Sequence, residues 1–432
     1  MRSSRSEPWW TVDATSLAQF VRLESCERYL WYRLHPRETR DLLRAWRVTE
    51  QPLTILLRAH GARHEHEAVQ TLESSGFDVV DLSESGPEEV VEELRAVGAK
   101  VLVQPRLRAE LDGLEGSGVA DVVLVQPDTA GLRLEVQDAK ASRKDRPEHR
   151  IQIAFYAMLL RRMAEEAGVP ISELTGSVWR IPAGPDDEQP SPFDLEPYEE
   201  SVRLLLDQRG VVRRVAGSPR EDTRFHLTYK CDGCVYNALC MREAAETESL
   251  ALVPFMTLRD RTILEREGVR DVRALARLKE LPPDGRGPLR PARGRRGVLE
   301  RLEAEWPLCA NLDLHVQRAR QVARAKGDHE VEAKGWIIGA GFGSMPDLDE
   351  YPGLVQVFLE GQHDYLRDAL YLAAALVVGP QGRAEEVIEL ADGPPDLEAE
   401  GELVVRFVTR LLDDVREVGG EEVTLHVYVY DR

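Results

Sequence analysis

The chain has 432 residues, 43% of them hydrophobic, and its 56 Lys and Arg against 76 Asp and Glu give a formal net charge of −20. This length exceeds one ordinary domain and predicts two or three, with enough apolar residues for their cores. The acidic total argues against unspecific coating of nucleic acid, although an acidic surface can contain a basic channel. No run of about eighteen apolar residues and no signal-peptide core is present, so we expect a cytoplasmic protein without a membrane segment.

The first predicted element is a helix near the N-terminus. Asp13-Ala-Thr-Ser16 supplies N-capping side chains, and apolar residues recur at helical spacing as far as Cys26 and beyond. This spacing indicates a core helix. Three arginines of this segment could line a path for nucleic acid or form an ordinary solvated face: Arg22, Arg28 and Arg33.

A second helix is predicted around Gly61, with Gly76 as its stop. It contains three of the ten histidines of the chain, namely His60, His64 and His66. His60 and His64 share one face of such a helix, whereas His66 is turned away. Strand-like segments on both sides of residue 100 then complete an α/β core.

The chemistry of the chain centres on two apolar strands that end in acidic residues. The first ends at Asp121, and the second ends with Asp138-Ala-Lys140. Alternate side chains of a strand share a face, so Asp138 and Lys140 point to the same place. A hairpin through Pro127–Gly131 would bring Asp121 beside Asp138.

These carboxylates predict a metal site. Two neighbouring carboxylates repel each other unless a cation lies between them, and hard oxygen ligands favour Mg²⁺ or Mn²⁺. Lys140 would orient or deprotonate the attacking water, or stabilise the charge that develops on a phosphate. Glu135 is a weaker candidate because strand alternation turns it to the other face. The competing interpretation is a surface ion pair between Asp138 and Lys140.

A basic loop over residues 141–147 and a long helix follow Lys140. The apolar residues Ile151, Phe155 and Leu159 have the spacing of one helix face. Gln152 and Tyr156 lie one turn apart on the same helix, a spacing that by itself indicates no function.

The five cysteines are unevenly placed. Three lie in the run Cys231-x2-Cys234-x5-Cys240, and Cys26 lies far upstream. In a cytosolic protein this clustering indicates a metal rather than disulfides, and four thiolates can hold either zinc or an iron–sulfur cluster. Cys309 stands apart and is most simply a small buried apolar residue.

The predicted elements directly after Cys240 are helices and a basic linker rather than alternating strands and helices. Leu258–Leu275 predicts a helix, a tight turn at Gly268 and a second helix, either a DNA-binding hairpin or a helical spacer. Residues 281–297 form a Pro- and Gly-rich basic linker, and its candidate phosphate contacts are Arg290, Arg293, Arg295 and Arg296. No phosphate-binding loop of an ATPase is present; the glycines of Gly339–Gly343 predict a turn.

The last hundred residues predict a separate α/β unit. Three apolar strands, an amphipathic helix and a final strand, Val423–Tyr430, have an order that resembles the ribonuclease-H-like fold. That fold needs Asp-x-Glu on its first strand for catalysis. The matching positions read Phe358-Leu-Glu360, so the resemblance implies a non-catalytic domain.

Together these landmarks resemble the RecB-like PD-(D/E)xK nucleases that carry an iron–sulfur cluster, as in AddB-type, CRISPR-adaptation and helicase-nuclease proteins. The resemblance covers about residues 11–245 and rests on the order of an N-terminal Cys, Gly61-x-x-His-Glu, Asp121, Asp138-x-Lys140, Gln152-x-x-x-Tyr156 and the closing cysteine run. It implies a restriction-endonuclease-like core with a helical N-terminal element and an iron–sulfur staple.

The same resemblance assigns roles to residues. His64 would complete the metal site formed by Asp121 and Asp138, with His66 as the second choice. Gln152 and Tyr156 would contact DNA or support the site. A 4Fe-4S cluster would be bound by Cys26, Cys231, Cys234 and Cys240, with zinc as the alternative.

We therefore expect three domains: a nuclease over residues 11–245, a helical and linker module over 246–330, and a ribonuclease-H-like domain over 331–432. The expected function is cleavage of single-stranded or end-exposed DNA with Mg²⁺ or Mn²⁺, in DNA repair, recombination or defence. A helicase in cis or in trans is the expected partner. Two alternatives stay open: an inactive DNA-binding scaffold with a structural metal cluster, and a zinc-stapled protein acting on RNA.

Overall fold

A computed structural model describes residues 10–48, 52–74, 76–142, 144–181, 189–281, 289–328, 351–364, 369–393, 396–420 and 423–429, with the backbone alone for 52–60, 232 and 397. The chain divides into two compact units, Met1–Ala333 and Lys334–Arg432, and each is considered by itself. Within the described residues, no helix has both the length and the apolar character needed to cross a membrane.

The first unit begins with a short strand and four helices, which are β1 (Thr11–Asp13), α1 (Ala14–Arg22), α2 (Glu27–Leu34), α3 (Pro36–Ala45) and α4 (Pro52–Ser74). The prediction of one continuous helix through Cys26 is wrong. Glu24 and Ser25 have positive φ angles of 56° and 62°, and Cys26 is the N-cap of α2. Because left-handed residues cannot continue a right-handed helix, α1 ends there and α2 packs back against it.

The central elements follow in chain order: β2 (Val79–Asp81), α5 (Pro87–Arg95), β3 (Lys100–Val103), β4 (Arg106–Leu111), β5 (Leu114–Val119), β6 (Val122–Asp128), β7 (Gly131–Lys140), α6 (Pro147–Ala167), β8 (Ile171–Arg180), β9 (Ser191–Phe193), α7 (Glu196–Leu206), α8 (Val211–Ala216) and α9 (Asn237–Glu246). They form a mixed six-stranded sheet of order β2-β3-β6-β7-β8-β9 and a three-stranded sheet of order β1-β5-β4.

The predicted hairpin joins β6 and β7. The two strands are antiparallel, and Asp128 pairs with Gly131 across a tight turn. Gly131 has a φ of 149°, and a Cβ there would lie 2.4 Å from the Pro170 carbonyl oxygen. Only glycine fits such a position, so the turn fixes the register of the strand that carries Asp138.

Helix α6 forms the centre of the core of the first unit. Pro147 is its first residue, and Gly168 ends it in the left-handed conformation. Nearly every side chain from Ile151 to Leu160 is buried, since α6 packs against α1, α7 and strands of both sheets. An apolar circumference of this kind is typical of a helix buried on all sides.

The remainder of the first unit is mostly helical and has its own core. Its elements are α10 (Leu258–Arg266), α11 (Val272–Ala276), β10 (Lys279–Glu280), β11 (Arg290–Pro291), α12 (Arg296–Glu303) and α13 (Leu308–Ala325). The predicted turn at Gly268, which has a φ of 85°, lies between α10 and α11. Cys309 was expected to be buried, and this is wrong, because its side chain is exposed on α13.

The second unit consists of β12 (Leu354–Asp364), β13 (Ala369–Val378), β14 (Ala384–Leu390), α14 (Leu397–Gly419) and β15 (Thr424–Val429). The strand order is β14-β13-β12-β15, with β15 parallel to β12 and the other neighbours antiparallel. Helix α14 covers one face of the sheet through Phe407 and Val415. The predicted turn at Gly339–Gly343 lies outside the described residues.

Candidate active site

Two carboxylates meet where β6 begins and β7 approaches its end. Val122 pairs with Gln137 in the ladder, and Asp121 and Asp138 are the next pair in register. The Asp121 Oδ2 atom accepts a hydrogen bond of 2.7 Å from the backbone N–H of Ala139. Burial and the adjacent Asp138 carboxylate raise the pKa of Asp121 well above its ordinary value. Asp121 therefore keeps its proton to a higher pH than an ordinary Asp unless a cation replaces it.

Lys140 forms an ion pair with Asp138. The Asp138 side chain has no exposed surface, and neither of its oxygens makes a hydrogen bond of ordinary geometry with a described residue. Burial opposes the charge of Lys140, but Asp138 and Asp121 outweigh that effect and raise the pKa of its ammonium group. A buried carboxylate with unused lone pairs, held beside a fixed cation, is equipped to bind a metal facing a phosphate.

Glu65 joins these residues from α4, which packs against β7. Burial raises the pKa of Glu65, Lys140 opposes this shift, and Asp138 adds to it. Glu65 and Asp121 also line the same groove. Glu65 was not among the site residues expected from the sequence, although it directly follows His64.

His64 lies on the same helix and is mostly buried, with its side chain 13% exposed. Its Nε2 atom has no hydrogen-bond partner among the described residues, and its Nδ1 atom is 3.9 Å from the Glu67 carboxylate. An imidazole nitrogen in this state can serve as a metal ligand. His66 is exposed and hydrogen-bonds to Gln70 at 3.0 Å, and the side chain of His60 lies outside the described residues.

Gln152 and Tyr156 support the site from α6. The Gln152 amide donates a 2.9 Å hydrogen bond to the Tyr156 hydroxyl. Burial, together with Asp138 and Asp121, raises the pKa of Tyr156 well above its ordinary value, so the phenol keeps its proton. The Tyr156 ring also lies against Gly118, where a Cβ would be 2.4 Å from Cε1. Gly118 thus lets α6 approach the strand that leads to Asp121.

His149 faces the site from the first turn of α6 and was not expected there from the sequence. Its Nδ1 atom is buried and has no hydrogen-bond partner among the described residues. Burial and the positive charge of Lys140 lower the pKa of His149, so its imidazole is neutral at neutral pH. In the sequence, its position three residues before Gln152, on the same helix face, could have indicated that it lies at the site.

Comparison with protein families matches residues 16–241 to the PD-(D/E)XK nuclease superfamily. The chain belongs to this superfamily. Its members are nucleases that use divalent metals such as Mg²⁺ or Mn²⁺, and the mixed α/β sheets of the first unit agree with that fold.

No curated protein matches the chain. Seven solved chains match it, and one of them is titled "Crystal structure of SSO0001". That structure is 17% identical, with 55% of this chain and 89% of the other covered and a TM-score of 0.24.

The four cysteines of this PD-(D/E)XK chain line one cavity between α2 and α9. Cys26 lines it from the start of α2. Cys231, Cys234 and Cys240 line it from the last segment of the matched region, and tyrosine and phenylalanine rings surround them. Burial raises the pKa of the Cys26 and Cys240 thiols and raises the pKa of Cys234 to about 12. In the described part of the chain, no three His, Cys, Asp or Glu side chains are gathered closely enough to form a metal site.

Backbone amides point at the cysteine sulfurs. The N–H of Thr228 donates to Cys231 Sγ at 3.4 Å, and the amides of Tyr29 and Tyr236 donate to Cys26 and Cys234. Hydrogen bonds of this kind stabilise thiolate over thiol, as metal ligation requires. Four thiolates around one cavity are a donor set that zinc or an iron–sulfur cluster takes, but the sulfurs as they lie in the described residues are not close enough together to hold either group.

The N-terminal arginines do not line a path for nucleic acid as a group. Arg28 is buried and pairs with Glu243 on α9, while Arg33 bonds to Asp13 at 3.1 Å. Arg28 instead connects α2 to α9, and Arg33 connects α2 to the N-cap of α1. Their spacing in the sequence gave no sign of this, because both partners are set by the tertiary fold.

Proposed function

We propose that this chain is a Mg²⁺- or Mn²⁺-dependent deoxyribonuclease that acts on single-stranded DNA or DNA ends. The observation that supports this most directly is the convergence of Asp121, Asp138 and Lys140 at one strand end, with Asp138 buried and without an ordinary hydrogen bond. Structural carboxylates at such depth normally have all their hydrogen bonds made.

The metal would be held by Asp121 and Asp138, with His64 and Glu65 as further candidate ligands from α4. When bound, such a metal polarises the phosphate and lowers the pKa of its coordinated water. Lys140 keeps its proton beside the carboxylates and places a positive charge where the attacking water and the phosphate oxygens meet. Attack by water forms a new P–O bond and breaks the P–O3′ bond, which leaves a 5′ phosphate on one product and a 3′ hydroxyl on the other.

We further assign Cys26, Cys231, Cys234 and Cys240 to a 4Fe-4S cluster, with zinc as the alternative. The shared cavity and the amides directed at the sulfurs support a thiolate-bound group. Its role is structural, because the cysteines join the first helices to the last segment of the nuclease domain. A chain purified without oxygen is expected to be brown and to absorb at about 400 nm if iron is bound. A colourless protein containing one zinc would overturn the iron assignment.

The second unit is assigned to a non-catalytic ribonuclease-H-like domain on its order of three antiparallel strands, a helix and a parallel fourth strand. Phe358 occupies the place of the first catalytic carboxylate on β12, and its side chain is 41% exposed. A helicase, in the same polypeptide or separate, remains the proposed partner in DNA repair, recombination or defence.

The deciding experiment is cleavage of end-labelled single- and double-stranded DNA with Mg²⁺ or Mn²⁺. We expect Lys140→Ala to lower the rate at least about 100-fold, since it removes the only cation paired with the buried carboxylates among the described residues. The matched control is Arg162→Ala, which removes an exposed cation on α6 and should cleave like the wild type.

Two outcomes would contradict the proposal. Equal cleavage by the wild type and Lys140→Ala would place the chemistry elsewhere. DNA binding without cleavage, for every metal tried, would favour the alternative of an inactive DNA-binding scaffold with a structural cluster.

A further inference from the structure

A groove with a cavity volume of about 360 Å³ extends from the carboxylate pair along α4. Glu65 and Asp121 lie at its catalytic end, and Trp179 and Gln137 line it on the side of the sheet. The space is comparable to that of pockets that enclose a small organic ligand. The groove therefore offers a second binding surface beside the metal site.

The charges on the two sides of the site differ. Four carboxylates line the groove, and no Lys or Arg does so in the described part of the chain; the carboxylates are Glu65, Glu73, Asp81 and Asp121. Phosphate groups are repelled from such a surface. After Lys140 in the chain, the loop before α6 exposes Lys144 and Arg146 and does not line the groove. A nucleic-acid backbone is thus favoured along that loop, and an uncharged group is favoured in the groove.

The floor of the groove is rigid and includes an aromatic ring. The Trp179 indole N–H donates to the Gln137 side-chain oxygen at 2.7 Å, and the Gln137 amide donates to Glu135 at 3.0 Å. Ser177 donates to the same Glu135 oxygen at 2.6 Å. This ladder fixes the indole, whose partly exposed ring can stack on a base.

Gln104 lines the groove opposite α4. Its backbone N–H donates to the Asp121 carbonyl at 2.9 Å, and its φ is 50°, a conformation that costs a non-glycine residue energy. Its side-chain amide makes no hydrogen bond with the described residues. A free amide offers both a donor and an acceptor to the edge of a nucleobase.

We propose that this groove binds an unpaired nucleobase next to the scissile phosphate, with Trp179 stacking on the base and Gln104 bonding to its edge. The proposal rests on the proposed nuclease function and makes its substrate more specific. A base inside a duplex cannot enter the groove without leaving its stack. The groove therefore selects single strands or frayed ends.

The test measures base binding separately from cleavage. Oligodeoxynucleotides with 2-aminopurine at successive positions are bound to Lys140→Ala in EDTA, and fluorescence quenching reports stacking. Quenching should peak at one position, and an abasic site there should weaken binding about tenfold. Gln104→Ala should weaken the normal oligonucleotide by a similar factor without affecting the abasic one. Trp179→Leu should remove the quenching.

Arg146→Ala is the matched control, because it should weaken normal and abasic oligonucleotides equally. The proposal is overturned if abasic and normal strands bind alike, or if Gln104→Ala binds both as before. Base-dependent binding by a protein that never cleaves would retain the groove and reject the nuclease. Cleavage at a rate that does not depend on abasic positions would retain the nuclease and reject base binding in the groove.

Discussion

Individual residues show how the site balances its charges. Asp121 and Glu65 have raised pKa values because both are buried near Asp138. In the metal-free protein these carboxyl groups hold protons that the unfolded chain releases at about pH 4. The folded state then binds more protons than the unfolded state above that pH, so this cluster makes the metal-free protein less stable as pH rises.

Replacing Asp121 with Asn tests this balance. The Asn oxygen can still accept from Ala139, and Asn does not have to take up a proton on folding. We therefore expect the metal-free variant at pH 7 to melt about 2–4 °C higher, the shift given by about 1 kcal/mol in a domain of this size. At pH 4 the difference should vanish. Thermal unfolding from pH 4 to pH 8 measures both, and a lower midpoint for the variant at pH 7 would contradict the prediction.

Asp128→Asn is the control, because the pKa of this carboxyl group is lowered rather than raised. The backbone N–H of Thr129 lowers the pKa of Asp128, which is exposed. Its charge therefore favours the folded state above about pH 4. The Asn variant should melt no higher than the wild type at pH 7, because no buried charge has been removed.

At the scale of elements, one buried ion pair holds the N-terminal helices in place. Arg28 on α2 bonds to Glu243 on α9 and to Thr223, at 2.8 Å from its Nε to the threonine hydroxyl. Cys26 lies at the start of α2 and Cys240 lies within α9. The pair therefore keeps the two sides of the cysteine cavity together.

We expect Arg28→Ala to lower the free energy of unfolding by about 3 kcal/mol, because it leaves the mostly buried Glu243 with weaker compensation from Arg220. The variant should also bind less metal at the cysteines. Chemical denaturation and metal analysis measure the two effects. Arg296→Ala, which breaks an exposed pair on α12, should cost less than about 0.5 kcal/mol. Equal losses in both variants would refute a special role for Arg28.

The sequence predicted the β6–β7 hairpin and the shared face of Asp138 and Lys140, because strand alternation is a local property. It missed Glu65, because period and spacing do not fix how α4 is rotated against the sheet. The break before Cys26 was also missed. Nothing in the residue types of Glu24 and Ser25 indicates a left-handed backbone, which is imposed by the packing of α2.

At the scale of the whole molecule, the two units have separate cores. The order of strands and helix in the second unit followed from apolar runs of strand and helix length. Residues 351–432 contain 17 Asp and Glu against 6 Lys and Arg, so this unit carries much of the net negative charge. Such a surface is unsuited to binding DNA phosphates.

Phe407→Ala tests whether the second unit is needed for cleavage. Phe407 is 8% exposed in the core under α14, and its loss should destabilise that unit by about 3–5 kcal/mol. Hydrogen exchange should rise in β12–β15 and stay unchanged in β6 and β7, with DNA cleavage within about twofold of wild type. A large fall in cleavage, with β6 and β7 still protected, would show that the second unit contributes to the reaction.

The contact between α2 and α9 also has a consequence for protein synthesis. Arg28 and Glu243 are 215 residues apart in sequence, so a ribosome releases Cys26 long before its partners exist. The cysteine cavity cannot form in a nascent chain until nearly all of the nuclease domain has been translated. A chain that is interrupted anywhere between these helices lacks the cavity, so occupancy of the cysteine site would report that translation of this domain is complete.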